Sequence, residues 1–244
     1  MGSNHTERQP RIRLNGYGQP IGPATAGWSS RPLPSREELA GRYCRLEPVD
    51  PLRHGADLYA AYMEAPDDRD WTYLFDERPE RKEDFDSYLE KLASSDDALH
   101  FTVVESHSKK ALGTAALMRI DPAHGSLEVG SIIFSPRLKR TSAATESMYL
   151  LMRLAFDELG YRRYEWKCDS LNAPSRAAAE RYGFAFEGVF RNAVVYKGRS
   201  RDTAWYSITN REWPPVRSAF EAWLDPANFD EHGCQRRRLQ DFRG

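Results

Sequence analysis

Three clusters of side chains in this chain have the types and spacing for proton transfer and anion binding. The run Asn172-Ala-Pro-Ser175-Arg-Ala-Ala-Ala-Glu-Arg-Tyr-Gly183-Phe184 reads as a short helix opened by Asn and Pro and stopped by Gly183. Asn172 and Ser175 stand at its head, where each can cap the helix or face a ligand. The segment Lys139-Arg140-Thr141-Ser142-Ala143-Ala144-Thr145 leads into a long amphipathic pattern. Free N–H groups at a helix start attract an anion, and Lys139 and Arg140 add positive charge. Capping by Thr141 or Ser142 is the plainer role for the same residues. Glu128, in Leu127-Glu-Val-Gly130, is an acid on a strand, and Glu165 and Asp169 lie on and just after a later strand. Each carboxylate is suited to take a proton. Each is equally suited to a salt bridge or a solvated strand face.

Placing these groups requires strands and helices around them, and hydrophobic periodicity supplies them. Residues 41–48 alternate as a first strand. Asp50-Pro51 starts a helix whose buried face is expected to be Leu52, Ala56, Tyr59 and Met63. Residues 81–93 form a second helix with Phe85, Tyr88, Leu89 and Leu92 on one stripe. The stretch Trp71-Thr-Tyr73-Leu-Phe75 between them is an aromatic loop or short strand. Runs at 100–105, 111–120 and 127–134, joined by turn residues, predict an antiparallel meander. Gly130 suits an irregularity in the third of them. A helix over 144–159 ending at Gly160, a strand over 162–168 and a helix over 174–182 follow, then strands that include 193–197 and 203–209. Residues 215–223 close the pattern as a terminal helix before a polar tail.

In this order and spacing the chain resembles the GNAT superfamily of N-acetyltransferases. The residues that carry the resemblance are the Asn172–Gly183 helix with Glu187-Gly188 after it, Thr145-Glu146 upstream, and Arg201-Asp202 and Glu212-Trp213-Pro214 downstream. The branch is the one typified by the ribosomal-protein N-terminal acetyltransferases and their small-molecule relatives, and the likeness covers residues 41–214. It implies an α/β (α+β) fold: a mixed, centrally splayed sheet flanked by helices. It implies acetyl transfer from acetyl-CoA to a primary amine by direct attack in a ternary complex. A small-molecule amine is the favoured acceptor, with a protein or peptide N-terminus second.

The same resemblance implies roles for particular residues. Lys139, Arg140, Thr141, Ser142, Ala143, Ala144 and Thr145 would hold the pyrophosphate. Ile132, Ile133 and Phe134 would line the pantetheine, and Asn172 and Ser175 would also contact the coenzyme. Glu128 would be the general base and Ser175 the general acid. Trp71, Tyr73, Phe75, Glu128 and Phe190 would shape the acceptor site. Arg201-Asp202 is expected to be a structural pair. Two departures stand out. Ser142 occupies the place of a family glycine, and Ala179 the place where many members have a tyrosine acid. Tyr182 lies on the wrong helical face to replace it and is expected to pack. These departures motivate one alternative, a non-catalytic CoA-binding or assembly protein on the same fold.

Composition sets the remaining limits. With 244 residues and 40% apolar content, the chain can bury a full core in one domain, with residues to spare. A net charge of −1 excludes a general nucleic-acid footprint. The one basic run, Arg236-Arg-Arg238, reads as a solvated tail. No apolar stretch approaches membrane-spanning length, and residues 1–9 lack the apolar core of a signal peptide. Cys44, Cys168 and Cys234, widely separated, suit free thiols in a reducing cytoplasm, and neither Cys nor His shows metal-ligand spacing. Residues 1–40 are rich in Gly and Pro yet carry Ile12, Leu14, Tyr17, Ile21 and Trp28, which suits an extended arm lying on the domain or on a partner subunit as well as it suits a disordered segment. A homodimer is therefore left open. The expected division is an arm over 1–40, an acetyltransferase domain over 41–214, and a helix and tail over 215–244.

Overall fold

The computed structural model describes residues 13–243 and divides into two compact units, Met1–Ser30 and Arg31–Gly244. The first contains a small hairpin of β1 (Arg13–Leu14) and β2 (Pro20–Ile21). Its turn is closed by the Asn15 side chain, which accepts from the amides of Tyr17 and Gln19. Ile12, part of the expected arm, lies outside the described residues.

The second unit carries one sheet of β3 (Leu39–Ala40), β4 (Cys44–Pro48), β5 (Ala98–Glu105), β6 (Ala111–Asp121), β7 (Ser126–Phe134), β8 (Arg163–Asp169), β9 (Ala185–Tyr196) and β10 (Arg199–Thr209). The spatial order is β3-β4-β5-β6-β7-β8-β10-β9. Neighbours are antiparallel except β7 and β8, which run parallel. The expected meander is present as β5, β6 and β7, and the mixed α/β sheet is the expected fold. Two apolar clusters form the core. One gathers residues of α3 (Ser142–Arg153) and α5 (Trp213–Trp223), the other those of α1 (Pro51–Met63) and α2 (Lys82–Ala93).

Helix α1 begins as the sequence requires, with Asp50 accepting from the amides of Leu52 and Arg53. Its buried face differs from the expected one. Leu52 is 97% exposed, and His54, Leu58, Ala61 and Tyr62 face the core instead. Leu52 sits in the first turn, while Leu58 and Tyr62, one turn apart, fix which side meets the sheet. Tyr59 and Met63 pack only along the margin.

The long helix over 144–159 is two elements. Helix α3 gives way to a π-helical turn, Leu154–Glu158, and Gly160 then turns the chain with φ 68°. The tail after α5 is also not free. The buried Asn228 side chain donates to the carbonyls of Trp223 and Arg237, Trp223 Nε1 donates to Gln235, and Leu239 is buried. Arg243 then donates to the carbonyls of Glu180 and Arg181 at the end of α4 (Ala173–Tyr182). The Arg236–Arg238 side chains are exposed, but they ride on a docked segment. The low apolar content of the tail hid the few buried groups that anchor it.

Glu146 explains why an acid belongs inside α3. Although nearly fully buried, its carboxylate accepts from the backbone amides of Arg42, Tyr43 and Cys44 at 2.8, 2.6 and 2.8 Å. Three amides satisfy a charge that would otherwise be costly to bury. They also fix the β3–β4 turn to the helix. Its proximity, after burial, pushes the Cys44 thiol up from its ordinary range. We expect Glu146→Gln to lose about 2–3 kcal/mol of stability in urea unfolding, because an amide accepts with one oxygen and presents a donor to the same N–H groups. An unaltered urea midpoint would show that these bonds carry little.

Candidate functional site

Strands β7 and β8 pair in parallel from Ser126–Arg163 only as far as Val129–Trp166. Beyond that point the two strands continue without pairing, so the β7 edge over 130–134 keeps open backbone groups. A bulge opens in the same place. The β6–β7 register skips between Ala116–Gly130 and Thr114–Ile133, and Ser131 adopts φ 47°. A Cβ on Gly130 would meet the Met118 sulfur at 2.5 Å, so any side chain there would have to displace the Met118 thioether.

One continuous cleft of about 1930 Å³ occupies the gap. A pocket for one small ligand is ~300–1,000 Å³, so this space accommodates two substrates at once. Of the residues singled out from sequence, Trp71, Tyr73, Phe75, Glu128, Ile132, Ile133, Phe134, Lys139, Arg140, Thr141, Ser142, Ala144, Thr145, Asn172, Ser175 and Phe190 line it. Ala143 does not, because its side chain is buried in the core cluster.

At one part of the cleft wall α3 begins. Thr141 is its cap, accepting from the Ala144 amide at 3.1 Å, while its hydroxyl donates to the Leu138 carbonyl. Among the described residues the amides of Arg140 and Ser142 have no acceptor. Arg140 carries φ 64°, so the turn reaches a left-handed conformation without glycine. Lys139 is committed to Asp70 at 2.5 Å. Arg140 and Arg181 line the cleft with no carboxylate partner among the described residues, Arg181 donating only to Thr145 Oγ1. Sequence reasoning missed Arg181, which lay in plain view beside Tyr182 but carried no pattern of its own.

At the head of α4, Asn172 accepts from the Ser175 amide at 3.1 Å, the capping role. Ser175 Oγ in turn accepts from Trp166 Nε1 at 2.9 Å. The indole N–H thereby polarises the hydroxyl oxygen. Ala179 is fully buried, and Tyr182 stacks on Phe220 as a packing residue.

Glu128 and Glu165 face each other across the parallel pair. Like charges in that position repel, and cations hold them. Lys167 Nζ reaches Glu128 at 2.9 Å and Glu165 at 2.7 Å, Arg119 bonds Glu128 at 2.8 Å, and Arg163 bonds Glu165 at 2.6 Å. Both cations on Glu128 sit on Oε2, leaving Oε1 free near Gly130. Burial pushes the Glu165 carboxyl up, but the bonds from Lys167 and Arg163 outweigh it and hold the group below its ordinary range.

Another wall of the cleft is aromatic. Phe190 stacks on Trp205 at 4.5 Å, and Lys167 lies over the same indole at 3.8 Å. Phe75 sits 5.6 Å from Tyr196, while Trp71 is largely buried against Tyr62 and Tyr88. Tyr73 donates to the Leu171 carbonyl. Lys197 donates to the Trp71 carbonyl and Arg199 to that of Thr72, so the β9–β10 turn is tied to the α1–α2 loop. Arg201 does not pair with Asp202. Asp202 accepts from the Asn192 amide, and Arg201 points into the cleft beside Thr203 and Trp205. Alternation along β10 was the signal, since 201, 203 and 205 share one face.

Residues 45–185 match the acetyltransferase (GNAT) domain. A GCN5-related N-acetyltransferase from Brucella melitensis has a TM-score of 0.87 and 49% identity, covering 89% of this chain and 98% of that one. A GNAT-family acetyltransferase structure from Chromobacterium violaceum has a TM-score of 0.73 and 41% identity, covering 80% and 98%. YdaF from Bacillus subtilis (strain 168), whose name assigns it provisionally to the ribosomal N-acetyltransferases, is 31% identical over 101 residues, 41% of this chain and 55% of its own length. The chain belongs to the GNAT acetyltransferase family. It is an N-acetyltransferase, which answers the alternative of a non-catalytic protein. Among the described residues no cluster of His, Cys, Asp or Glu could hold a metal ion, and no helix is long and apolar enough to cross a membrane.

Removing Lys167 leaves two facing carboxylates short of a cation, so Lys167→Met is expected to cost about 3 kcal/mol in urea unfolding at neutral pH. The pH dependence has a definite sign. Glu165 lies below its unfolded value of 4.5, so its contribution is present above that pH and fades as pH falls through the lower folded value. Lys167→Met should therefore flatten the acid limb of the stability curve. An equally steep limb in the variant would show that Lys167 does not hold Glu165.

Proposed function

We propose that the chain transfers an acetyl group from acetyl-CoA to the primary amine of a small molecule, by direct attack in a ternary complex. The observation that carries this reading is the early end of β7–β8 pairing, which opens a backbone edge beside the free amides of α3. Those amides, with Arg140 and Arg181, suit a pyrophosphate. The open β7 edge suits a pantetheine amide chain, and an N–H near Ile132 and Ile133 suits the oxyanion of the addition step. The amine nitrogen bonds to the acetyl carbon and the carbon–sulfur bond breaks. Glu128 Oε1 accepts the nitrogen proton, directly or through water, and the Ser175 hydroxyl donates one to the departing sulfur.

A protein N-terminus is the second acceptor class, supported by the name of the Bacillus subtilis relative. Free thiols at Cys44, Cys168 and Cys234 support a reducing, cytoplasmic setting.

Two measurements test the reading. Acetyl-CoA at 100 times its Kd adds about 2.7 kcal/mol, which should raise the melting temperature by roughly 5–10 °C. Ser142→Glu should abolish the shift, because its carboxylate occupies the anion site while still suiting a helix start. No shift in the unaltered protein, or a full one in the variant, sinks the coenzyme site. In a thiol-release assay, Glu128→Gln is expected to lower kcat by about 10²-fold with little effect on the acetyl-CoA shift. A kcat equal to that of the unaltered enzyme would remove Glu128 from the proton path.

A further inference from the structure

Arg201 is 8% exposed, lines the cleft, and has no carboxylate within ion-pair distance among the described residues. Only its Nε is engaged, donating to Thr203 Oγ1 at 3.1 Å. The guanidinium carbon lies 5.7 Å from the Phe75 ring centre and 6.0 Å from that of Tyr196. The nearest acid on the facing strand, Asp169, is occupied by the Tyr196 hydroxyl at 2.8 Å and the Leu171 amide at 2.9 Å. The other cations around Trp205 and Tyr196 are engaged: Lys167 with Glu128 and Glu165, Lys197 with Glu77 and the Trp71 carbonyl, and Arg199 with the Thr72 carbonyl. The terminal nitrogens of Arg201 have no protein acceptor and are not among the fully buried atoms, so they open onto the cleft, where an anion can meet them. The guanidinium fork matches a carboxylate through two parallel bonds.

The surroundings narrow the ligand further. Phe75 and Phe190, both more than half exposed, supply apolar surface on the same side of the cleft. We propose that Arg201 binds a carboxylate on the acceptor, and that the natural acceptor is a small amine bearing both a carboxylate and an apolar or aromatic portion. This rests on the acetyl-transfer reading above and names the substrate class for that site.

The test compares phenylalanine with 2-phenylethylamine, which differ only in the carboxylate, by thiol release from acetyl-CoA. The enzyme should favour the carboxylated amine in kcat/KM by about 10–100-fold, the worth of a charge-assisted bond. Arg201→Gln should collapse that ratio to within a few-fold, chiefly through KM. Equal use of the two amines, or a variant that loses both in proportion, overturns the proposal. Should neither amine turn over, 3-phenylpropanoate binding decides. A melting shift present in the unaltered protein and absent in Arg201→Gln supports the site, and no shift refutes it. Ligand-free Arg201→Met should melt no lower than the unaltered protein, and a large fall would mark a structural residue instead. A retained 3-phenylpropanoate shift without an acetyl-CoA shift would refute the coenzyme reading alone.

Discussion

Parallel pairing between β7 and β8 ends at Val129–Trp166, and the rest of the site depends on that ending. A sheet hydrogen-bonded along its full length would leave no backbone edge for a ligand and no space between the strands. Here the last paired rungs bring Glu128 against Glu165, and Lys167 stands just beyond them, bonded to both. The charges that hold the strands together thus lie at the fork itself. Above it lies the bulge at Gly130–Ser131, where β7 is no longer paired with β8. One strand pair is therefore cohesive at its base and open at its tip, with no hinge required.

The elements flanking the fork are braced independently of it. Glu146 binds α3 to the start of the sheet through three amides, so the helix whose N-terminus faces the cleft has a fixed direction. On the other side α4 is capped by Asn172 at its head and by Arg243 at its end. The docked tail contributes Cys234 and Gln235 to the same cleft. Residues distant in sequence thereby hold the two helices whose N-terminal turns face the cleft.

Much of this was legible in the residues. Period and turn chemistry located the meander, α2 and the short Asn172–Gly183 helix, because each has an unbroken local pattern. The face of α1 was misjudged because Leu52 fits the helical spacing but lies in the first turn, away from the sheet. The tail was misjudged because a handful of groups, Asn228 and Leu239 among them, anchor a segment of polar composition. Site residues on short motifs came forward readily. Those defined by long-range geometry did not: the sharing of Lys167 between two acids depends on which strands are neighbours. Local sequence carries period and caps, but strand adjacency is a property of the whole sheet.

The rim of the aromatic wall is fastened by carbonyl oxygens, those of Trp71 and Thr72, which receive Lys197 and Arg199. Every amino acid carries such an oxygen. The knot is therefore indifferent to the side chains that project from the loop, and Phe75 on it is left half in solvent. A frame tied in this way can exchange its projecting residues one at a time while the groups at the fork stay where they are. Related chains can thus diverge in the molecules they accept without passing through an unfolded or inactive ancestor.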